Sequence, residues 1–146
     1  MSASLLADDR DLLVLALGNR LMTDDAAGPL ILARLAPRAG ARLVDGGTCG
    51  LALLPEVEAA AALVVVDAAR MGAAPGTVDV FEGRAMDAAL RGVKSTAHEV
   101  ALADLLDAAR VTGRLPQRRA LVAIEPERVA LGLEPTPAVA AALPAA

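Results

Sequence analysis

Leu12-Leu13-Val14-Leu15-Ala16-Leu17-Gly18-Asn19-Arg20-Leu21-Met22-Thr23-Asp24-Asp25 is the stretch on which the reading of this chain turns. Its six leading apolar residues show no polar alternation, which predicts a strand covered on both faces, as central parallel strands are. Gly18-Asn19 then opens a tight loop, and helical spacing resumes over residues 27–35, where Gly28, Ile31, Leu32 and Leu35 share one face. Gly28-Pro29 falls in the first turn of that helix, where a missing N–H costs nothing. A strand, a loop and a helix in this order present polar groups at the carboxyl edge of a sheet. Here the loop carries two adjacent acids instead of a glycine-rich phosphate cradle, so it is expected to attract a cation or a proton.

Working outward, residues 41–44 read as a second short strand, ended by a loop, Asp45-Gly46-Gly47-Thr48-Cys49-Gly50. Residues 51–60 predict a helix with an irregularity at Pro55, and Leu63-Val64-Val65-Val66 a strand ending at Asp67. A turn at 71–76 leads to an outer strand at 77–82. The longest helix is expected over 95–110: Thr96 and Glu99 have capping-box spacing, and Leu102, Leu105, Leu106 and Ala109 form its apolar stripe. Residues 119–124 read as the last inner strand, closed by Glu125-Pro126. Thr136-Pro137 reads as N-cap and N1 of a terminal helix reaching Leu143. Strands alternating with helices predict an α/β fold, a three-layer α/β/α sandwich around a twisted, mostly parallel sheet of about five strands. Length predicts that residues 1–146 form a single domain.

Composition narrows the function classes. The chain is 55% hydrophobic with a net charge of −4, and it has one Phe, no Tyr and no Trp. An acidic surface without aromatic stacking platforms argues against nucleic acid as a partner. One cysteine excludes an internal disulfide and suits a reducing compartment. Residues 1–10 show no secretory pattern, and the longest apolar run, 59–66, is too short to cross a bilayer, so the expectation is a cytoplasmic protein without membrane insertion.

Three residues are candidates for chemistry. Asp25 follows the first strand, Asp67 follows the valine-rich strand, and His98, the chain's one histidine, lies in the first turn of the long helix. If the two strands are neighbours, both acids hang from one sheet edge, the edge at which helix N-termini lie when the preceding strand is parallel. Two oxygens and a nitrogen suit a divalent ion and leave coordination positions open. The positive end of the helix dipole favours neutral imidazole, the ligand form. Each residue also has a structural reading: Asp24 as a helix N-cap, Asp25 equally as a cap, Asp67 as a turn residue and His98 as a packed side chain. Cys49 is read as a nucleophile paired with His98 or as a small buried thiol, with the thiol favoured. Gly46, Gly47 and Thr48 form a candidate backbone for binding an extended peptide, or simply a turn, and Asp45 stabilises its own turn.

Taken together, these fragments resemble the [NiFe]-hydrogenase maturation endopeptidases. The likeness runs through Gly18-Asn19, Leu21, Asp24-Asp25, Asp45-Gly46-Gly47-Thr48 with Gly50, Val66-Asp67-Ala68, Met71-Gly72, Pro75-Gly76, His98, Ile124, Pro126 and the Pro137 helix. The resemblance implies an aspartyl-type endopeptidase that removes a short C-terminal extension from the hydrogenase large-subunit precursor after nickel insertion. The nickel belongs to the substrate, no tightly bound organic cofactor is expected, and the positions that contact it correspond to Asp25, Asp67 and His98. Ala16, Ala26, Ala123 and Glu125 stand where the family more often has Gly, Gly, Gly and Gln. Two other readings accompany this one: a non-catalytic chaperone that senses metal on the precursor, and a hydrolase of the peptidyl-tRNA hydrolase kind, which the acidic balance opposes.

Overall fold

The computed structural model describes residues 12–35, 41–47, 51–91 and 97–145, with backbone alone for 91, 97–101 and 145. Five strands form one sheet: β1 (Leu12–Leu17), β2 (Arg42–Gly47), β3 (Ala62–Ala68), β4 (Val78–Glu82) and β5 (Arg118–Ile124). Their spatial order is β2-β1-β3-β5-β4, parallel except for β4, which runs antiparallel to β5 along an edge. The α/β class and the mostly parallel sheet are therefore as the apolar runs predicted. Every residue of β1 and of β3 is buried, as expected of runs without polar alternation.

Helices cover both faces. Leu12, Val14, Val64, Val66, Val122 and Ile124 point to one face, against α1 (Ala27–Arg34) and α5 (Pro137–Ala142). Leu13, Leu15, Leu63, Val65 and Leu121 point to the other, against α2 (Leu54–Ala59), α3 (Arg84–Arg91) and α4 (Ala97–Val111). The period of two along each strand sorts the side chains between the layers. Burying each such side chain stabilises the fold by about 1.5–3 kcal/mol, so the two faces together dominate stability.

Several local expectations change. Helix α3 was not foreseen; its short amphipathic run buries Met86, and Leu90 packs beside it. The predicted 51–60 helix is split into a 3₁₀ turn at Leu51–Leu53 and α2, with Pro55 in the first turn, where it is tolerated. Strand β2 runs through Gly47 instead of stopping at Val44. Ala16 pairs with Asp45 but Leu17 with Gly47, so Gly46 is the extra residue of a bulge. Gly46 is buried, and a Cβ there would lie 2.9–3.0 Å from Leu53, Leu15 and Leu17, so core packing accounts for this glycine. Leu35, placed on the α1 face by spacing, lies just past the helix and is exposed. Thr48, Cys49, Gly50, Ser95 and Thr96 lie outside the described residues.

Candidate active site

In the strand order, the chain leaves β1 toward β2 on one side, while β3 and β5 lie on the other. The crevice between β1 and β3 is thus the topological switch point, where open α/β sheets bind ligands beyond the carboxyl ends of their strands. Asp25 and Asp67 flank it. Asp67 is the penultimate residue of β3 and is 2% exposed; Asp25 sits in a 3₁₀ turn, Thr23–Ala26, just after β1 and is 5% exposed.

Two glycines make this closeness possible. Gly18 has φ +132°, and a Cβ on it would fall 2.1 Å from the carbonyl oxygen of Asp25. Gly28 lies against the strand ends themselves: a Cβ there would meet the carbonyl oxygens of Leu17, at 2.4 Å, and Val66, at 2.6 Å. Helix α1 therefore starts directly over the β1–β3 seam, two residues after Asp25 and next to the strand that delivers Asp67. The Asn19 N–H donates to Asp25 Oδ2 at 2.9 Å, while Asn19 Oδ1 accepts from the Leu21 N–H at 2.9 Å. The Gly18-Asn19 turn thus holds the carboxylate of Asp25 as well as reversing the chain.

His98 belongs to the first turn of α4 by its backbone; its side chain lies outside the described residues. The other end of α4 is fixed near the amino edge, where Arg110 shares Asp87 with Arg119 at the start of β5. Fifteen residues at about 1.5 Å each span about 22 Å, the length of a strand, which carries the first turn of α4 to the carboxyl edge. Asp67 follows Leu63 and Val65 in alternation, so it stands on the sheet face that α4 covers. Among the described residues no three His, Cys, Asp or Glu side chains gather as a metal set; Asp25 and Asp67 supply two acids at one edge.

Asp24 does not cap a helix. Neither the 3₁₀ turn nor α1 has a side-chain cap, and the carboxylate of Asp24 is turned to a distant segment. It accepts the N–H groups of Glu127 at 2.8 Å, Arg128 at 2.9 Å and Thr136 at 2.6 Å, and the Thr136 hydroxyl at 2.8–3.0 Å. Thr136 is the N-cap of α5 by position, as predicted, but its hydroxyl serves Asp24 and not its own helix. Burial pushes the Asp24 carboxyl upward, yet the donors from Arg128, Thr136 and Glu127 outweigh it and hold the group below the ordinary 3.8.

Glu125, likewise buried, accepts the N–H of Met71 at 3.0 Å and of Ala73 at 2.9 Å, which secures the loop that leaves β3 after Asp67. Sequence reasoning missed both tethers, because a carboxylate that serves amides 52 or more positions away leaves no local pattern. Ala16, Ala26 and Ala123 are fully packed, so a methyl group fits at each. Of the candidate peptide-binding residues, Gly47 accepts the Gly18 N–H at 2.9 Å and has open space on its Cβ side, while Asp45 accepts its own Gly47 N–H and meets Arg20 at 3.3 Å.

A family model described as hydrogenase maturation protease matches residues 30–146. The chain belongs to the hydrogenase maturation protease family. The hydrogenase 2 maturation protease of Escherichia coli K12 is 36% identical over 132 residues, covering 86% of this chain and 80% of that protein. The hydrogenase expression/formation protein HupD of Rhodobacter capsulatus is also 36% identical, over 78% of this chain, and this chain spans 56% of its length. Among solved structures, the hydrogenase maturating endopeptidase HybD from E. coli superposes with a TM-score of 0.86 at 33% identity, over 92% of this chain and 85% of that one. The five-stranded, mostly parallel sheet is thus the fold of HybD-like proteases. Among the described residues no helix is long and apolar enough to cross a membrane.

Proposed function

We propose that this chain is a cytoplasmic endopeptidase that removes the C-terminal extension of a nickel-loaded [NiFe]-hydrogenase large-subunit precursor. Asp25, Asp67 and His98 recognise the nickel, which arrives with the substrate. The observation that supports this most is the pair of buried acids on either side of the β1–β3 switch point, in a member of a protease family. Two carboxylates so close to the backbone seam make an electronegative site for a divalent cation. A nickel ion bound there would polarise the scissile carbonyl or acidify a water, with one carboxylate available as general base. Requiring the metal makes cleavage conditional on its insertion, because without it the site lacks its electrophile.

The test is cleavage of purified precursor, followed by mass, with and without nickel, by wild type and by His98→Ala and Asp67→Asn variants. Loss of cleavage in both variants, and with nickel-free precursor, is expected. Full activity in both variants would end this reading.

A further inference from the structure

Asp24 is fully buried beside Asp25, yet the proposed chemistry gives it no part. Residues 127–136 are stitched along the loop that leads to Asp25. Besides the bonds to the Asp24 carboxylate, the Asp24 N–H donates to the Arg128 carbonyl at 3.1 Å, and the Thr23 N–H to the Gly132 carbonyl at 2.9 Å. The Thr23 hydroxyl lies 2.6 Å from the Arg128 carbonyl. Thr23 itself has φ +49°, the one positive value at a non-glycine position among the described residues. For a β-branched side chain this conformation is strained by about 1–3 kcal/mol and persists only where neighbours over-determine it. The next residue but one is Asp25. Its carboxylate takes the Asn19 N–H, from the opposite side of the turn.

We propose that Asp24 is a positioning residue that, through Thr136 and the amides of Glu127 and Arg128, locks the Thr23–Ala26 turn in the backbone conformation that aims Asp25 at the switch point. The alternative is that Asp24 merely anchors residues 127–136. This inference rests on the proposed role of Asp25, and the two separate experimentally.

The test uses the full chain and two measurements: amide hydrogen exchange, and kcat and KM on nickel-loaded precursor. Asp24→Asn turns an acceptor into an NH₂ group facing N–H donors. It is expected to lower protection at Glu127, Arg128 and Thr136 and, across the turn, at Asn19, each by about tenfold or more. With it kcat falls about 10–100-fold, the size seen when outer-layer supports are removed, while KM stays within about twofold. Thr136→Val, which loses the hydroxyl alone, shows the same pattern more weakly, and Thr136→Ser restores both readouts. If Asn19 protection and kcat survive Asp24→Asn while the amides of 127, 128 and 136 open, Asp24 only anchors the distant segment and the proposal fails. If Asp24→Asn does not fold, the Val and Ser variants at 136 decide on the same readouts: equal Asn19 protection and equal kcat overturn it. Unimpaired cleavage by Asp25→Asn strikes the proposed function instead and leaves the exchange result standing.

Discussion

At the amino end of the sheet Asp87 on α3 is gripped by Arg119 of β5, at 3.1 and 2.5 Å, and by Arg110 of α4 at 3.4 Å. At the carboxyl end Asp24 and Glu125 are held instead by backbone N–H groups and one hydroxyl. Both arrangements stabilise a carboxylate, since each hydrogen bond to a charged group is worth about 1.5–3 kcal/mol. They differ in what charge remains. A guanidinium cancels the acid and ties helix to sheet; amide dipoles solvate the acid and leave its charge in place. Asp24, Asp25, Asp67 and Glu125 are all buried at one end, so the carboxyl edge gathers four acidic side chains. The amino edge is built for cohesion, and the carboxyl edge holds the acids to which the proposed function assigns binding.

Substitutions at the two ends should therefore fail in different currencies. The largest effect is expected from Asp25→Asn: under the proposed function it loses a contact to the substrate's metal, which removes several kcal/mol of transition-state stabilisation, on the order of a thousandfold in kcat, with the melting temperature near wild type. Precursor cleavage and calorimetry on one preparation would check this; a large fall in stability with normal turnover would break the contrast. Next is Asp87→Ala, which strands the Arg119 side chain, itself 10% exposed, without its carboxylate. Unfolding in urea should show a loss of about 3–5 kcal/mol, while turnover per folded molecule is kept. A reduced kcat in the folded fraction would show that the amino edge also serves the site.

Smaller effects sharpen the comparison. Glu125→Ala leaves the Met71 and Ala73 amides without their acceptor and should cost about 1–3 kcal/mol. Glu125→Gln keeps one acceptor oxygen able to take both donors and should cost under about 1 kcal/mol; equal losses in the two would mean that the charge, not the acceptor, matters. The smallest effect is that of acid on Asp24. Because its folded pKa lies below the ordinary 3.8, its ionised form contributes stability that is complete above that value and is lost as pH falls through the folded one. The difference in unfolding free energy between wild type and Asp24→Asn should be flat above about pH 5 and shrink below the ordinary carboxylate range. A difference that grows on acidification would contradict the hydrogen-bond account.

The readable part of the site was the part written into neighbouring residues. Asp25 after an apolar run and Asp67 after another could be placed at strand ends, and the observed pairing of Ala16 with Val66 makes those strands neighbours. Asp24 was misread as a cap because caps are local and acids before helices usually serve them. Its true partners are 103 to 112 positions away, so the loop sequence held no sign of them. Helix α3 escaped for another reason: in a short run, one buried methionine and one flanking leucine are too few to show a period.

By itself, the order of residues determined the alternation of buried strands and amphipathic helices, and hence the layered fold, because apolar periodicity is a local property that water reads segment by segment. It also determined the glycines that let Asp25 and helix α1 approach the backbone of β1 and β3. Tertiary structure alone decided the strand order that makes the β1–β3 seam a switch point, and which distant loops Asp24 and Glu125 hold. Those choices depend on where donors from distant segments arrive, and a carboxylate takes whichever N–H groups the folded chain brings within about 3 Å.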